Sequence, residues 1–93
     1  MTKRFAFFYF FKVTPDRLME VVPEHIDYWA KVDPPDYVGG PFGDGSGGMI
    51  LFSAEGLEEA EQITGRDPFV LRNLMGRMWV REWVVKGQEN SPE

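Results

Sequence analysis

An almost unbroken run of aromatic residues near the N-terminus limits the folds open to this chain more than any other feature. Residues 4–13 read RFAFFYFFKV, with five phenylalanines and one tyrosine in ten positions. Aromatic and β-branched side chains favour extended structure, because they pack well on a pleated surface. Successive side chains of a strand point to opposite sides, so this strand carries large apolar groups on both faces. Both faces must therefore be covered.

The composition excludes several classes of partner and site. A chain of 93 residues suffices for one domain, predicted at 1–86 with a disordered tail at 87–93. The net charge of −5 and the scattered basic residues argue against nucleic acid. Without cysteine and with one histidine, disulfides, cysteine-type zinc clusters and multi-histidine metal sites are excluded within one chain. We predict no cofactor.

The apolar patterns also bear on membranes. The longest apolar stretch is about half the length of a membrane span. Lys3 and Arg4 precede an aromatic run, but Lys12 interrupts it and no small-residue cleavage site follows, so a signal peptide is not expected. The sequence predicts a soluble, cytoplasmic protein with no membrane partner.

Turn residues and periodicity predict the element order β-α-β-β-α-β. After the first strand, the predicted elements are a helix at 15–32, strands at 37–42 and 49–52, a helix capped by Gly56 and ending at Gly65, a helical turn from Pro68, and a strand at 77–86. Pro23 should kink or restart the first helix, because proline lacks the backbone N–H. This order is typical of the ferredoxin-like α+β fold, a four-stranded antiparallel sheet with both helices on one face.

Helices on one face leave the other face of the sheet bare. Phenylalanine and tryptophan side chains on that face would form a larger apolar patch than monomers usually expose. The same face of a second copy, related by a two-fold axis, would cover the patch. We therefore predict a homodimer in which two sheets pack face to face.

His25, the only histidine, is the main candidate for chemistry. It lies in the inward stripe predicted for the first helix, together with Leu18, Val22, Trp29 and Val32. Histidine titrates near neutrality, so a nearby carboxylate could tune it for proton transfer. The alternative is a buried histidine with a purely structural hydrogen bond.

Two aspartates could orient His25, and their spacing does not decide between them. Asp36 follows the first helix, and Asp67 precedes Pro68. Asp67 also has a simpler explanation as the N-cap of the turn that starts at Pro68. The tryptophans, including Trp29, could line an apolar pocket or belong to the core or the dimer interface.

The glycine-rich segment 43–48 contains the pattern Gly-x-Gly-x-x-Gly. A strand rather than a helix is predicted after it, so no helix N-terminus is available to hold a pyrophosphate. We interpret the segment as a turn.

Three short motifs occur in order along the chain: EHIDYW at 24–29, GPF at 40–42 with its glycine-rich continuation, and DPF at 67–69. Together they resemble the YCII-related (YciI-like) family of the dimeric α+β barrel superfamily, over about residues 4–85. The resemblance implies a ferredoxin-like subunit, a face-to-face dimer, and a site with His25 as the proton-transfer group and Asp67 as its orienting partner.

The function implied by this resemblance is lyase- or isomerase-type chemistry on a small organic acid. The predicted substrate contacts are Trp29, Gly40, Pro41, Phe42 and Phe69. The alternative is a non-catalytic module of the same fold, a homodimer that binds a small ligand or has a regulatory role.

Overall fold

The computed structural model describes residues 1–87, in which a four-stranded sheet carries helices on one face. The elements are β1 (Lys3–Phe11), α1 (Pro15–Val32), β2 (Val38–Pro41), β3 (Gly47–Ala54), α2 (Leu57–Gly65), α3 (Pro68–Leu71) and β4 (Met75–Glu82). The strands are antiparallel and lie in the order β2-β3-β1-β4. This is the predicted ferredoxin-like arrangement. From position 88 onward, the predicted tail lies outside the described residues.

α1 is one helix from end to end. Thr14 caps it by accepting a hydrogen bond from the backbone nitrogen of Arg17 at 3.4 Å. The helix continues through Pro23 with no second start, so the predicted restart is wrong. Pro23 is exposed, and burial of Val21 and Trp29 on either side of it outweighs one missing backbone bond. Among the described helices, none is long and apolar enough to cross a membrane.

β4 is shifted toward the N-terminus relative to the predicted strand at 77–86. Its only neighbour in the sheet is β1, and the pairing runs from Met75 opposite Phe11 to Glu82 opposite Phe5. The backbone nitrogen of Trp83 still donates to the carbonyl of Arg4 at 2.8 Å. β1 begins at Lys3, which the same register places opposite Val84, so β1 has no residue left to pair with the predicted strand beyond Val84.

The two sides of β1 have different surroundings. Phe5, Phe7 and Tyr9 face the helices and are buried, together with Ile50 and Phe52 of β3. This is the core of the protein.

The opposite side of the sheet is not covered by the described helices. Phe8 stacks on Trp79 at 5.1 Å between ring centroids, and Phe10 lies 5.5 Å from Phe42. We call the apolar residues on this side the open sheet face: Ala6, Phe8, Phe10, Phe42, Met49, Leu51 and Trp79.

Gly47 allows β1 and β3 to approach each other closely. A Cβ atom at Gly47 would collide with the backbone carbonyl of Tyr9, and a rotamer change cannot relieve a collision with backbone. Gly47→Ala should therefore lower the free energy of unfolding by roughly 1–3 kcal/mol, as overpacking usually does. Gly43→Ala is the matched control in chemical denaturation, because a Cβ there meets no atom within 4 Å. Equal stabilities of the two variants would contradict the close approach.

Candidate functional site

A cavity of about 480 Å³ lies between α1 and the sheet, beside α3. The stripe predicted on α1 lines this cavity with Leu18, Val22, His25 and Trp29. β1, β2, β3, α3 and the loop before β2 supply most of the other walls: Tyr9, Phe11, Tyr37, Gly39, Gly40, Pro41, Gly47, Ile50 and Phe69. The inward face of the helix thus borders a space large enough for a small molecule.

Asp67 is completely buried at the end of this cavity and accepts hydrogen bonds on both carboxylate oxygens. Its Oδ1 lies 2.9 Å from His25 Nδ1 and accepts from the backbone nitrogen of Phe69 at 2.8 Å. Its Oδ2 accepts from Trp29 Nε1 at 2.9 Å. Because a carboxylate only accepts, Nδ1 carries the hydrogen, and Nε2 of His25 has no side-chain hydrogen bond within residues 1–87.

The local sequence explains why Asp67 sits here. Its extended backbone and the following Pro68 start α3, and its side chain caps that helix, as predicted. The cap also places the ring of Phe69 against the ring of His25. The rings of His25 and Phe69 stack with centroids 4.0 Å apart and planes 9° from parallel. One carboxylate therefore serves both as a helix cap and as a histidine partner.

Asp36, the other possible partner, lies elsewhere. It adopts a left-handed backbone conformation with φ of 60°. Its Oδ2 accepts a hydrogen bond from Ser53 Oγ at 2.6 Å and lies 3.7 Å from Arg4 Nε. These contacts direct the carboxylate to residues of β3 and β1 and not to His25.

Four of the five predicted substrate contacts line the cavity: Trp29, Gly40, Pro41 and Phe69. Phe42 does not, because its ring packs on Phe10 in the open sheet face. Gly40 and Phe42 share one side of an extended segment. Gly40 has no side chain, so its backbone can still border the cavity while Phe42 points away from it.

Sequence reasoning missed two tyrosines of the cavity wall, Tyr9 and Tyr37. In the sequence, Tyr9 is one residue of the aromatic run and is not distinguished from its neighbours. Glycine lies next to each of the two hydroxyls: a Cβ at Gly48 would lie 2.7 Å from the Tyr9 hydroxyl oxygen. In the same way, a Cβ at Gly39 would lie 2.9 Å from the hydroxyl oxygen of Tyr37.

The buried Asp67 affects two tyrosines of the cavity wall, and a second carboxylate, Asp33, lines the cavity itself. Burial, and then the negative charge of Asp67, raise the pKa values of Tyr9 and Tyr37 above the usual value for tyrosine. Both phenols therefore stay protonated at neutral pH. Among residues 1–87, no lysine or arginine lines the cavity, and no three His, Cys, Asp or Glu side chains are grouped to hold a metal ion.

The chain is similar to a curated protein and to a solved structure. No family model matches it. The uncharacterized protein YjpA of Bacillus subtilis (strain 168) is 38% identical over 47 residues, which is 50% of this chain and 54% of YjpA. The match thus spans about half the length of each protein.

The solved structure is 5-chloro-2-hydroxyhydroquinone dehydrochlorinase (TftG) from Burkholderia phenoliruptrix AC1100, in complex with 2,5-dihydroxybenzoquinone. The TM-score is 0.68 over 87% of this chain and 93% of TftG, with 18% sequence identity. This similarity shows a common fold. Membership of the YCII-related family stays a prediction.

Asp67→Asn should destabilise the protein even though the side chain keeps its shape. An amide has one acceptor oxygen, so it cannot accept from Trp29 on one side and from His25 and Phe69 on the other. A buried donor left without an acceptor should lower the free energy of unfolding by roughly 1–3 kcal/mol. Asp36→Asn is the control, because the exposed Asp36 can still accept from Ser53 through the amide oxygen. An Asp67→Asn variant as stable as this control in chemical denaturation would contradict the hydrogen-bond arrangement.

Proposed function

We propose that this protein is a cytoplasmic, homodimeric member of the YCII-related family that acts as a small-molecule enzyme of the lyase or isomerase type. His25 would transfer a proton on a small organic acid, and Asp67 would orient it. The observation that carries the proposal is the 2.9 Å contact between His25 Nδ1 and the buried Asp67, made at the wall of a cavity.

The contacts around His25 suit a proton-transfer group. Asp67 fixes the hydrogen on Nδ1, so Nε2 can take a proton from a bound substrate and later return it. The imidazolium formed in between would be stabilised by the adjacent carboxylate. Trp29 holds the second oxygen of that carboxylate, and Phe69 fixes the plane of the histidine ring. The apolar walls strengthen these electrostatic interactions by limiting access of water.

The similarity to TftG supports the lyase type of chemistry. TftG is named as a dehydrochlorinase of a chlorinated, hydroxylated ring and was solved with a hydroxylated quinone. Removal of hydrogen chloride includes removal of a proton, which is the task proposed for His25. A cavity with aromatic walls is also suited to planar rings.

A second candidate function is a binding or regulatory module without turnover. The double role of Asp67 favours it, because the cap of α3 alone would explain the residue. In that case the cavity would take a ligand, while the histidine–aspartate contact would be structural.

Deuterium exchange separates the two functions. Small organic acids, including 2,5-dihydroxybenzoquinone, would be incubated with the protein in D₂O and followed by proton NMR. The enzyme should exchange or convert at least one of them, and His25→Gln should be about 10²–10⁴-fold slower, the usual contribution of a general base. Tyr28→Phe is the control, since the Tyr28 hydroxyl bonds the carbonyl of Ile63 and does not line the cavity. If the wild type and both variants bind a ligand without any deuterium exchange, the binding or regulatory module is favoured. If exchange occurs at the same rate in His25→Gln as in the wild type, the proposed mechanism is refuted.

The dimer is proposed from the open sheet face. Both Phe8 and Phe10 are only half-buried there, and Met49 is 40% exposed. Arg77 lies over the rings of Phe10 and Trp79, but a group of aromatic and aliphatic side chains of this kind is rarely left to solvent. A second copy placed on it by a two-fold axis would cover the same residues on both chains.

A charge at the centre of the open sheet face should break the dimer. Trp79→Asp places a carboxylate beside Phe8 and Phe10, where it would lose its hydration on pairing. Light scattering coupled to size-exclusion chromatography should show a dimer for the wild type and a monomer for this variant. Leu71→Asp is the control, because Leu71 is also exposed but lies on α3. A monomeric wild type at micromolar concentration would refute the proposed pairing.

A further inference from the structure

Tyr9 is a buried residue whose hydroxyl has no protein partner in the described chain. Tyr9 is 3% exposed and lines the cavity. In contrast to Tyr28, whose hydroxyl donates to the carbonyl of Ile63 at 2.6 Å, Tyr9 makes no side-chain hydrogen bond within residues 1–87. Every fully buried side-chain nitrogen or oxygen atom of residues 1–87 has a hydrogen-bond partner. The Tyr9 oxygen must therefore open onto the cavity.

The sheet is shaped around this hydroxyl. A Cβ at Gly48 would lie 2.7 Å from the Tyr9 oxygen, so any larger residue would press on it. Gly39 makes the same room for the oxygen of Tyr37, which lines the cavity beside Trp29. The rings of Trp29 and Tyr37 stack with centroids 5.8 Å apart. Two neighbouring strands thus use glycine where a tyrosine oxygen approaches.

Both hydroxyls are donors and not bases. Burial and the charge of Asp67 raise the pKa of each phenol, so each keeps its proton at neutral pH. Tyr9 and His25 both lie against Phe69, with ring centroids 6.2 Å and 4.0 Å from it. Tyr9 and His25 therefore share one aromatic neighbour in the wall of the cavity.

We propose that Tyr9, assisted by Tyr37, is a substrate-binding residue that donates a hydrogen bond to an acidic ring oxygen, and that the ligands are phenols and cyclic enols, not carboxylic acids. The inference rests on the proposed function, which it makes more specific. When His25 Nε2 takes the proton of the substrate, the electron pair left behind spreads over the ring and its oxygen. The tyrosine hydroxyls donate to that oxygen and keep their own protons.

The charges around the cavity favour a delocalised anion over a carboxylate. No lysine or arginine of residues 1–87 lines the cavity, so a carboxylate would lose its hydration and gain no guanidinium or ammonium partner. A phenolate or enolate spreads its charge into a ring that the aromatic walls can contact. Neutral hydroxyl donors suit such an oxygen, as they do in oxyanion sites.

Binding of two matched probes tests the inference. 4-Nitrophenol and 4-nitrobenzoate share a ring and differ in the acidic group, and the visible absorption of nitrophenol reports whether its oxygen is ionised. The wild type should bind 4-nitrophenol more tightly than 4-nitrobenzoate. Tyr9→Phe should weaken 4-nitrophenol binding about 10-fold to 100-fold, the loss expected for a hydrogen bond to a charged group. It should also change the absorption of the bound probe.

Control variants keep this result interpretable. Tyr28→Phe should bind 4-nitrophenol as the wild type does, because its hydroxyl lies outside the cavity lining. Tyr37→Phe should weaken binding less than Tyr9→Phe; Tyr37 is 41% exposed, so its replacement tests the site even if Tyr9→Phe folds poorly. Unchanged affinity in both tyrosine variants, a preference for 4-nitrobenzoate, or no binding of either probe would overturn the inference. The proposed function is judged apart from this, by the dependence of deuterium exchange on His25.

Discussion

The buried carboxylate of Asp67 is the interaction on which the site depends. It accepts from His25 and Trp29 of α1 and from the backbone of Phe69 in α3, so it ties two helices together at one end of the cavity. A fully buried charge is stable only when its oxygens are satisfied. That requirement fixes the position of α3, the plane of the histidine ring and the side of the imidazole that faces the cavity. One carboxylate therefore caps α3 and holds the His25 ring at the same time.

Much of the fold could be predicted from the sequence because its strongest signals are local. The aromatic run of β1 required cover on both faces, and prolines and glycines marked the ends of most elements. The errors occurred where tertiary contacts decide. The burial of Trp29 carries α1 through Pro23, and β4, whose only neighbour among the described strands is β1, begins and ends earlier than predicted. Neither effect is visible in a window of a few residues.

The candidate site was predictable only in part, for a similar reason. His25 stood out as the lone histidine on an apolar helix face, but its partner depends on which loop approaches that face. Asp36 and Asp67 are equivalent by spacing, and only the packing of α3 under α1 brings Asp67 to the histidine. Tyr9 was hidden in the aromatic run, where its ring resembles any core residue. Its hydroxyl becomes informative only when Gly48 is seen across from it.

Alternation along β1 separates the two surfaces that the proposals use. Residues at odd positions, such as Tyr9, face the helices and the cavity, whereas Phe8 and Phe10 face the other way. The cavity is therefore assembled from residues of one chain, and the dimer would form on the reverse of the same strand. Since the residues on both faces share one backbone, a shift of that backbone caused by pairing would move Tyr9 as well. The proposed pairing would thus be linked to the proposed ligand binding most directly through β1, and any effect of one on the other should appear first at the Tyr9 hydroxyl.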